Sequence, residues 1–159
     1  ILVRYTDHMQ GENSMDPGPL NVGLLLFIPY RELEERVFAA VQDAGYSDIT
    51  LPQARLFQRI SANGSRITDL ANRVYVTKQT ASVLVNSLES NGYVRRMPDP
   101  LDARASLVIA DARGLAAAAV AAAEIQRIEA EWRKALGTAR YERLVRDLDE
   151  LAKYTNRPQ

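Results

Sequence analysis

The sequence predicts a mainly α-helical fold carrying one small β-hairpin. Three observations lead there. Apolar residues recur at spacings of three and four over most of the chain, the stripe of amphipathic helices. That period is replaced over residues 93–110 by two short extended runs, the second rich in β-branched residues. Glycines at 45, 92 and 137 fall where the periodic stretches end, the usual place for a helix-terminating glycine. At 159 residues the chain fits one compact unit, against a prior of ~150 residues per domain.

The elements follow in order. Residues 1–19 hold Gly11, Asn13, Asp16, Pro17, Gly18 and Pro19 and no periodic apolar face. They read as an irregular N-terminal arm, or as residues preceding a native start at Met9 or Met15. From 20 to 154 a single domain is expected. A first helix spans about 20–44, with Leu26, Tyr30, Leu33, Val37, Val41 and Ala44 on one stripe. Pro29 predicts a kink, or a start delayed to Tyr30. Thr50 is placed to cap a second helix that has Pro52 in its first turn and Ala54, Phe57 and Ile60 on one face. Ser61 to Ser65 forms a turn. Thr68 is expected to cap a short third helix, and Thr77 a fourth that runs to Asn91. Tyr93 to Met97 and Ala105 to Ala110 form the hairpin, with a long tip over 98–104, and a minimal strand near Arg66 is expected to close the sheet. Asp111 caps a long helix, 112–136, with Ala118, Ala122, Ile125, Ile128, Trp132 and Ala135 on one stripe. A last helix, 139–154, carries Tyr141, Leu144, Val145, Leu148 and Leu151.

Composition closes several routes. Hydrophobic residues make up 47% and charged residues 25%, ordinary for a globular chain. No Cys is present, which excludes disulfides, thiolate metal sites and thiol chemistry. One His, at position 8, leaves no histidine-based metal site or triad, so neither metal nor cofactor is expected. The longest apolar run, 22–30, is well short of the ~20 residues that span a bilayer, and no basic region precedes it as in a signal peptide. A soluble cytoplasmic protein is expected. Net charge is zero, but it is polarised. Residues 1–51 hold three Lys/Arg against eight Asp/Glu (−5), residues 52–105 hold eight against four (+4), and the rest nine against eight (+1). A polyanion responds to local potential, so the basic middle segment counts for more than the total.

That basic segment has a recognisable layout. Two short helices joined by a tight turn, the second capped by Thr77 and followed by a hairpin, make a winged helix-turn-helix. At about 100° per residue from Lys78, the residues Ala81, Leu84, Val85 and Leu88 fall within about 240–340°, one apolar stripe. Lys78, Ser82, Asn86 and Gln79 fall within about 0–100°, on the opposite side. The outer face thus offers an ammonium, two amides and a hydroxyl, the groups that read base edges and phosphates in a major groove. Val83 lies beside them, suited to a thymine methyl. On the hairpin, Arg95 and Arg96 precede a tip holding Asp99, Asp102 and Arg104. An arginine on a protruding loop suits a minor groove, and Asp102 is placed to orient the Arg104 guanidinium. Any surface helix has a polar face, and an exposed ion pair contributes little; the hairpin following directly on the helix is what favours the nucleic-acid reading.

The stretches Leu70-Ala-Asn-Arg-Val-Tyr-Val-Thr-Lys-Gln-Thr80, Leu84-Val-Asn-Ser-Leu-Glu89, Asn91-Gly-Tyr-Val-Arg95 and Asp99-Pro-Leu-Asp-Ala-Arg-Ala105 resemble the multiple-antibiotic-resistance regulator (MarR) family. Its Asp-x-Arg-Ala wing, followed by an apolar strand, a helix cap and a glycine, is matched by Asp102 to Gly114. The resemblance covers about residues 20–154. It implies an obligate homodimer whose first and last two helices interlock, giving a winged lobe over about 50–110 and dimerisation helices over about 20–44 and 112–154. It also implies a pseudo-palindromic double-stranded DNA operator. By position, Thr77, Lys78, Gln79, Thr80, Ser82 and Asn86 become recognition-helix residues, and Asp102 and Arg104 the wing pair. Asp111 replaces the family's usual Thr, and Val83 stands where a basic residue is common.

Two further features are open to more than one reading. Residues 115–123 include seven alanines, small side chains that suit a close helix approach at a dimer interface, although alanine is also the best helix former. Phe27, Tyr30, Tyr46 and Phe57 are candidates to line an effector pocket between the lobes, where the resembled family binds small molecules; they equally suit a core. The function expected is a sequence-specific DNA-binding transcription regulator, a repressor released by a small organic effector, catalysing no reaction. The alternatives are a winged-helix module for protein–protein contact without specific DNA binding, and an enzyme, which would lack a Cys nucleophile or a His base near its carboxylates.

Overall fold

The computed structural model describes residues 19–155, so the N-terminal arm, with His8, Met9 and Met15, lies almost wholly outside the described residues. The element order is α1 (Val22–Asp43), α2 (Leu51–Phe57), α3 (Ile67–Arg73), α4 (Lys78–Ser90), β1 (Val94–Asp99), β2 (Asp102–Ala110), α5 (Ala112–Leu136) and α6 (Thr138–Thr155). The helix and hairpin order expected from the sequence is therefore observed.

Local chemistry sets most boundaries. Asn21 caps α1 by accepting the Leu24 N–H at 3.0 Å. The helix starts there and continues through Pro29 rather than beginning at Tyr30. Thr50 and Gln53 form a capping box on α2: the Gln53 side-chain oxygen accepts the Thr50 N–H at 2.8 Å. Helix α2 ends at Phe57, so Ile60, assigned to its face, packs from the loop instead. Thr68 is not a cap. Helix α3 starts two residues earlier than a Thr68 cap would place it, with Arg66 in the N-cap position. Thr77 caps α4 through the Thr80 N–H at 3.1 Å, and Asp111 caps α5 through the Ala112 N–H at 2.8 Å. Gly137, with φ 81°, separates α5 from α6.

The hairpin differs from its expected form. The strands pair antiparallel from Val94↔Ala110 to Pro98↔Ser106, then slip to Asp99↔Asp102, so the long tip over 98–104 is mostly strand. Pro98 sits at the slip, where a residue without an N–H disturbs no regular ladder. Ser65 bridges Val108 with mutual backbone bonds of 3.0 and 2.9 Å, supplying the minimal third strand expected near Arg66. Gly64 makes that approach possible. A Cβ there would lie 2.7 Å from Ile109 Cγ2, and the residue has φ +87°.

The core sits within the winged portion. Leu56, Leu70, Val85, Leu88, Tyr93, Val94 and Val108 are fully buried and belong to one cluster. A polar joint ties this portion to α5. Arg113 pairs with both Asp48 carboxylate oxygens at 2.8 Å, donates to the Asn91 carbonyl at 2.7 Å, and lies 4.5 Å from the Tyr93 ring centroid. Tyr93 donates its hydroxyl to Asp48 at 2.6 Å. Burial raises the Tyr93 phenol to about 12, while that hydroxyl, followed by Arg113, holds Asp48 below the usual carboxylate range. Gly114 closes the joint, because any Cβ there would meet the Tyr93 carbonyl oxygen at 2.1 Å and the Phe57 ring at 2.6 Å.

Candidate nucleic-acid interface

Helix α4 presents two different faces. Ala81, Val85 and Leu88 are buried on its inner side, anchoring it against the core. Thr77, Lys78, Gln79, Thr80 and Asn86 are exposed, and Val83 is 60% exposed beside them. The structure thus brings the expected recognition residues onto one surface. They are not equally available. The Thr77 hydroxyl serves the helix cap and lies 2.9 Å from that of Thr80, and the half-buried Ser82 donates its hydroxyl to the Lys78 carbonyl at 2.9 Å. Among the described residues, no hydrogen bond or ion pair holds the side-chain ends of Lys78 and Gln79.

The hairpin is fastened to this helix. Arg96 pairs with Glu89 of α4 through its guanidinium, takes a second bond to Glu89 through its backbone N–H (3.2 Å), and donates to Asn86 Oδ1 at 2.7 Å. Two residues expected to face DNA, Asn86 and Arg96, therefore hold each other, and Arg96 fixes the angle between strand and helix. Arg95 and Arg104 stay exposed.

The tip has an anchor that the sequence reading did not single out. Arg66 donates to the buried Asp99 at 2.7 Å through Nε, with Nη2 at 2.5 Å, and lies 3.7 Å from Asp102. Asp99 also accepts the Leu101 N–H at 2.9 Å; that bond, followed by Arg66, holds its carboxyl below the ordinary range. Asp99 was expected at the solvated tip and is instead its internal brace. Asp102 accepts the backbone N–H of Arg104 at 3.1 Å, so its hydrogen bond orders the wing backbone and not the Arg104 guanidinium. From the sequence, Arg66 was marked only by the minimal strand expected near it.

A second site lies between α1, α2 and α5. A cavity of about 290 Å³ is lined mainly by apolar side chains, among them Leu33, Val37, Ile49, Ala54 and Ile125. Of the four aromatics proposed for a pocket, Tyr30 and Phe57 line it. Phe27 and Tyr46 do not. Phe27 is 55% exposed one helical turn before Tyr30, and Tyr46 packs against the core beside Tyr93, with ring centroids 6.2 Å apart. The alanine run read as a subunit-approach surface turns Ala117, Ala118, Ala121 and Ala122 towards this cavity. Its polar wall is Glu34, which accepts two bonds from Arg55, both 2.6 Å, and one from the Tyr30 hydroxyl at 3.0 Å. Arg55, ahead of the opposing effect of burial, keeps the Glu34 carboxyl below its usual range. No sequence pattern marked this pair, whose members are 21 residues apart.

Comparison with known proteins agrees with this geometry. Residues 47–105, the winged portion, match the model of the MarR family. The fold is shared with an E. coli MarR solved in its apo form (20% identity, 87% of this chain and 98% of that one, TM-score 0.63). It is also shared with a Mycobacterium tuberculosis MarR family protein in complex with salicylic acid (26% identity, 85% and 98%, TM-score 0.62). A third match is CouR, a transcriptional repressor bound to a 23-mer DNA duplex (22% identity, 89% and 99%, TM-score 0.66). No curated protein sequence matches the chain. The resemblance read from the sequence is borne out, and the fold is the winged-helix fold of MarR-family transcriptional regulators. No helix among the described residues is long and apolar enough to cross a membrane.

Proposed function

We propose that this chain is a MarR-family transcription regulator that binds a pseudo-palindromic DNA duplex as a homodimer and represses until an organic effector releases it. The observation that carries the reading is the rigid coupling of an outward polar helix to an arginine-bearing wing. Thr77, Lys78, Gln79 and Thr80 open α4 towards solvent, and Glu89 and Asn86 of the same helix fasten Arg96 of β1. Helix and wing are thereby set at one fixed angle, as simultaneous major- and minor-groove contact demands. Lys78, Gln79 and Asn86 face the major groove in this account, and Arg104, with Arg95, meets phosphates or the minor groove. Asp102 holds the wing backbone in shape. The DNA-bound repressor among the structural relatives supports the partner, and the salicylate complex supports a small-molecule effector.

The effector reading rests on the cavity, with Tyr30 and Phe57 on its wall and Glu34–Arg55 as its polar group. Its place between α1 and α2 allows a ligand to alter the spacing of winged and helical portions. A ~100-fold loss of DNA affinity requires ~2.7 kcal/mol of coupling. With no cysteine in the chain, thiol oxidation cannot supply it.

Fluorescence anisotropy with duplex DNA at two salt concentrations tests the reading. Gln79→Ala is expected to cost ~1–3 kcal/mol on the preferred site and to relax selectivity at one position. Arg104→Ala is expected to weaken binding to all sequences and to flatten the salt dependence. Equal binding by both variants and wild type would leave a winged-helix module for protein contacts as the better reading.

A further inference from the structure

The turn between α3 and α4 contains a feature that neither the fold nor the recognition face explains. Helix α3 ends in a Schellman motif: the Val76 N–H bonds the Ala71 carbonyl at 3.0 Å, and the Tyr75 N–H bonds that of Asn72 at 3.3 Å. The residue at the left-handed position of this motif is ordinarily glycine, because a Cβ there is strained. Here it is Tyr75, with φ 56°. Among the described residues every other positive φ belongs to a glycine, at 45, 64, 92 and 137.

Among the described residues nothing compensates Tyr75 for that strain. Its side chain is 94% exposed, and among the described residues its hydroxyl has no hydrogen-bond partner. Val74 and Val76 on either side pack against the core. They hold the turn down while the tyrosine projects from it. Strain at an exposed aromatic, with no gain among the described residues, points to a partner outside the chain.

The position specifies that partner. Tyr75 stands two residues before Thr77, the cap of the helix assigned to the major groove. In a helix-turn-helix the first helix crosses the sugar–phosphate backbone and the second enters the groove, so the turn between them passes the rim. We infer that Tyr75 is a DNA-contacting residue whose phenol donates a hydrogen bond to a backbone phosphate at the edge of the major groove. This rests on the DNA-binding reading above. A neutral phenol on a phosphate adds affinity without sequence preference and without displacing a counterion.

The test uses the full chain, Tyr75→Phe and Tyr75→Gly, with anisotropy on the preferred duplex and on a scrambled one, plus thermal melting. Tyr75→Phe keeps ring and backbone and is expected to bind about tenfold more weakly, the loss of one hydrogen bond to a charged group. That loss should be equal on both duplexes, with the salt slope unchanged. Tyr75→Gly is expected to lose at least as much affinity while melting at a higher temperature, because the backbone strain is relieved. Opposite signs for stability and affinity exclude a merely structural role. Wild-type affinity in Tyr75→Phe overturns the inference, whatever Tyr75→Gly does. If the wild type itself binds no duplex, the DNA reading fails first and takes this inference with it.

Discussion

The winged portion and the helical portion bury their apolar residues to very different extents. Between α2 and β2 most large apolar side chains close on one another, Tyr75, Val83 and Leu101 excepted, and Leu56, Leu70, Val85, Leu88 and Val108 are wholly withdrawn from water. In the helical portion the first half of α1 leaves Leu25, Leu26, Phe27 and Ile28 exposed, and α6 buries only Tyr141 while Leu144, Val145, Leu148 and Leu151 face solvent. A sequence with the same apolar periodicity throughout is thus satisfied in one region and unfinished in the other. The difference teaches that amphipathicity alone does not say whether a stripe meets its own chain or another. The homodimer proposed above assigns the unfinished stripes to a second copy.

The largest effect should come from breaking that assembly. Each Leu or Val fully buried at an interface contributes ~1.5–3 kcal/mol, and the exposed stripe of α6 alone holds four. Leu148→Glu is expected to abolish the dimer by sedimentation and to lower the melting temperature sharply. The wild type should melt at temperatures that rise with protein concentration. A folded wild-type monomer at micromolar concentration would remove the contrast between the two regions.

The joint between them should be the next most sensitive place. Gly114→Ala drives a Cβ into the Tyr93 carbonyl and the Phe57 ring, and backbone cannot yield as a flexible side chain does. A loss of ~1–3 kcal/mol is expected in urea titration, with the midpoint moved and the slope unaltered.

How much of this was legible beforehand depends on the range of the interaction. Caps and stops are local chemistry, and Thr50, Thr77, Asp111, Gly92 and Gly137 announced their elements. The inward stripe of α4 likewise followed from spacing alone. Thr68 misled because a good capping residue is also tolerated inside a first turn once Arg66 has taken the N-cap position. The hairpin tip misled because Pro98, Asp99 and Pro100 carry turn signals. The Arg66–Asp99 pair, joined across 33 residues, braces that segment and leaves no trace in local sequence. Glu34–Arg55 and Asp48–Arg113 are equally silent. Tyr30 and Phe57 could not be told from Phe27 and Tyr46 by residue type; only the placement of the cavity separates them. Tyr75 was hidden for the opposite reason, since its residue type argues against the conformation it adopts.

A smaller, pH-dependent effect should come from Glu34. Arg55 holds its folded carboxyl below the ordinary glutamate value of 4.5, so the stabilisation is fully present above that value. It is lost as pH falls through the lower folded value. Arg55 is almost half exposed, which limits the contribution to ~1 kcal/mol. Glu34→Gln should therefore melt slightly below wild type at pH 7 and converge on it under acid conditions. A difference that persists at low pH would mean that the pair acts through shape and not charge.

The central claim is that two copies of α4 and its wing read one duplex. Selection of bound sequences from a randomised duplex library tests it most directly. The account predicts an enriched inverted repeat with half-sites about one helical turn, ~34–36 Å, apart, and loss of enrichment at the inner half-site positions in Gln79→Ala. Enrichment of a single unpaired site, or recovery of the library unchanged, would contradict it.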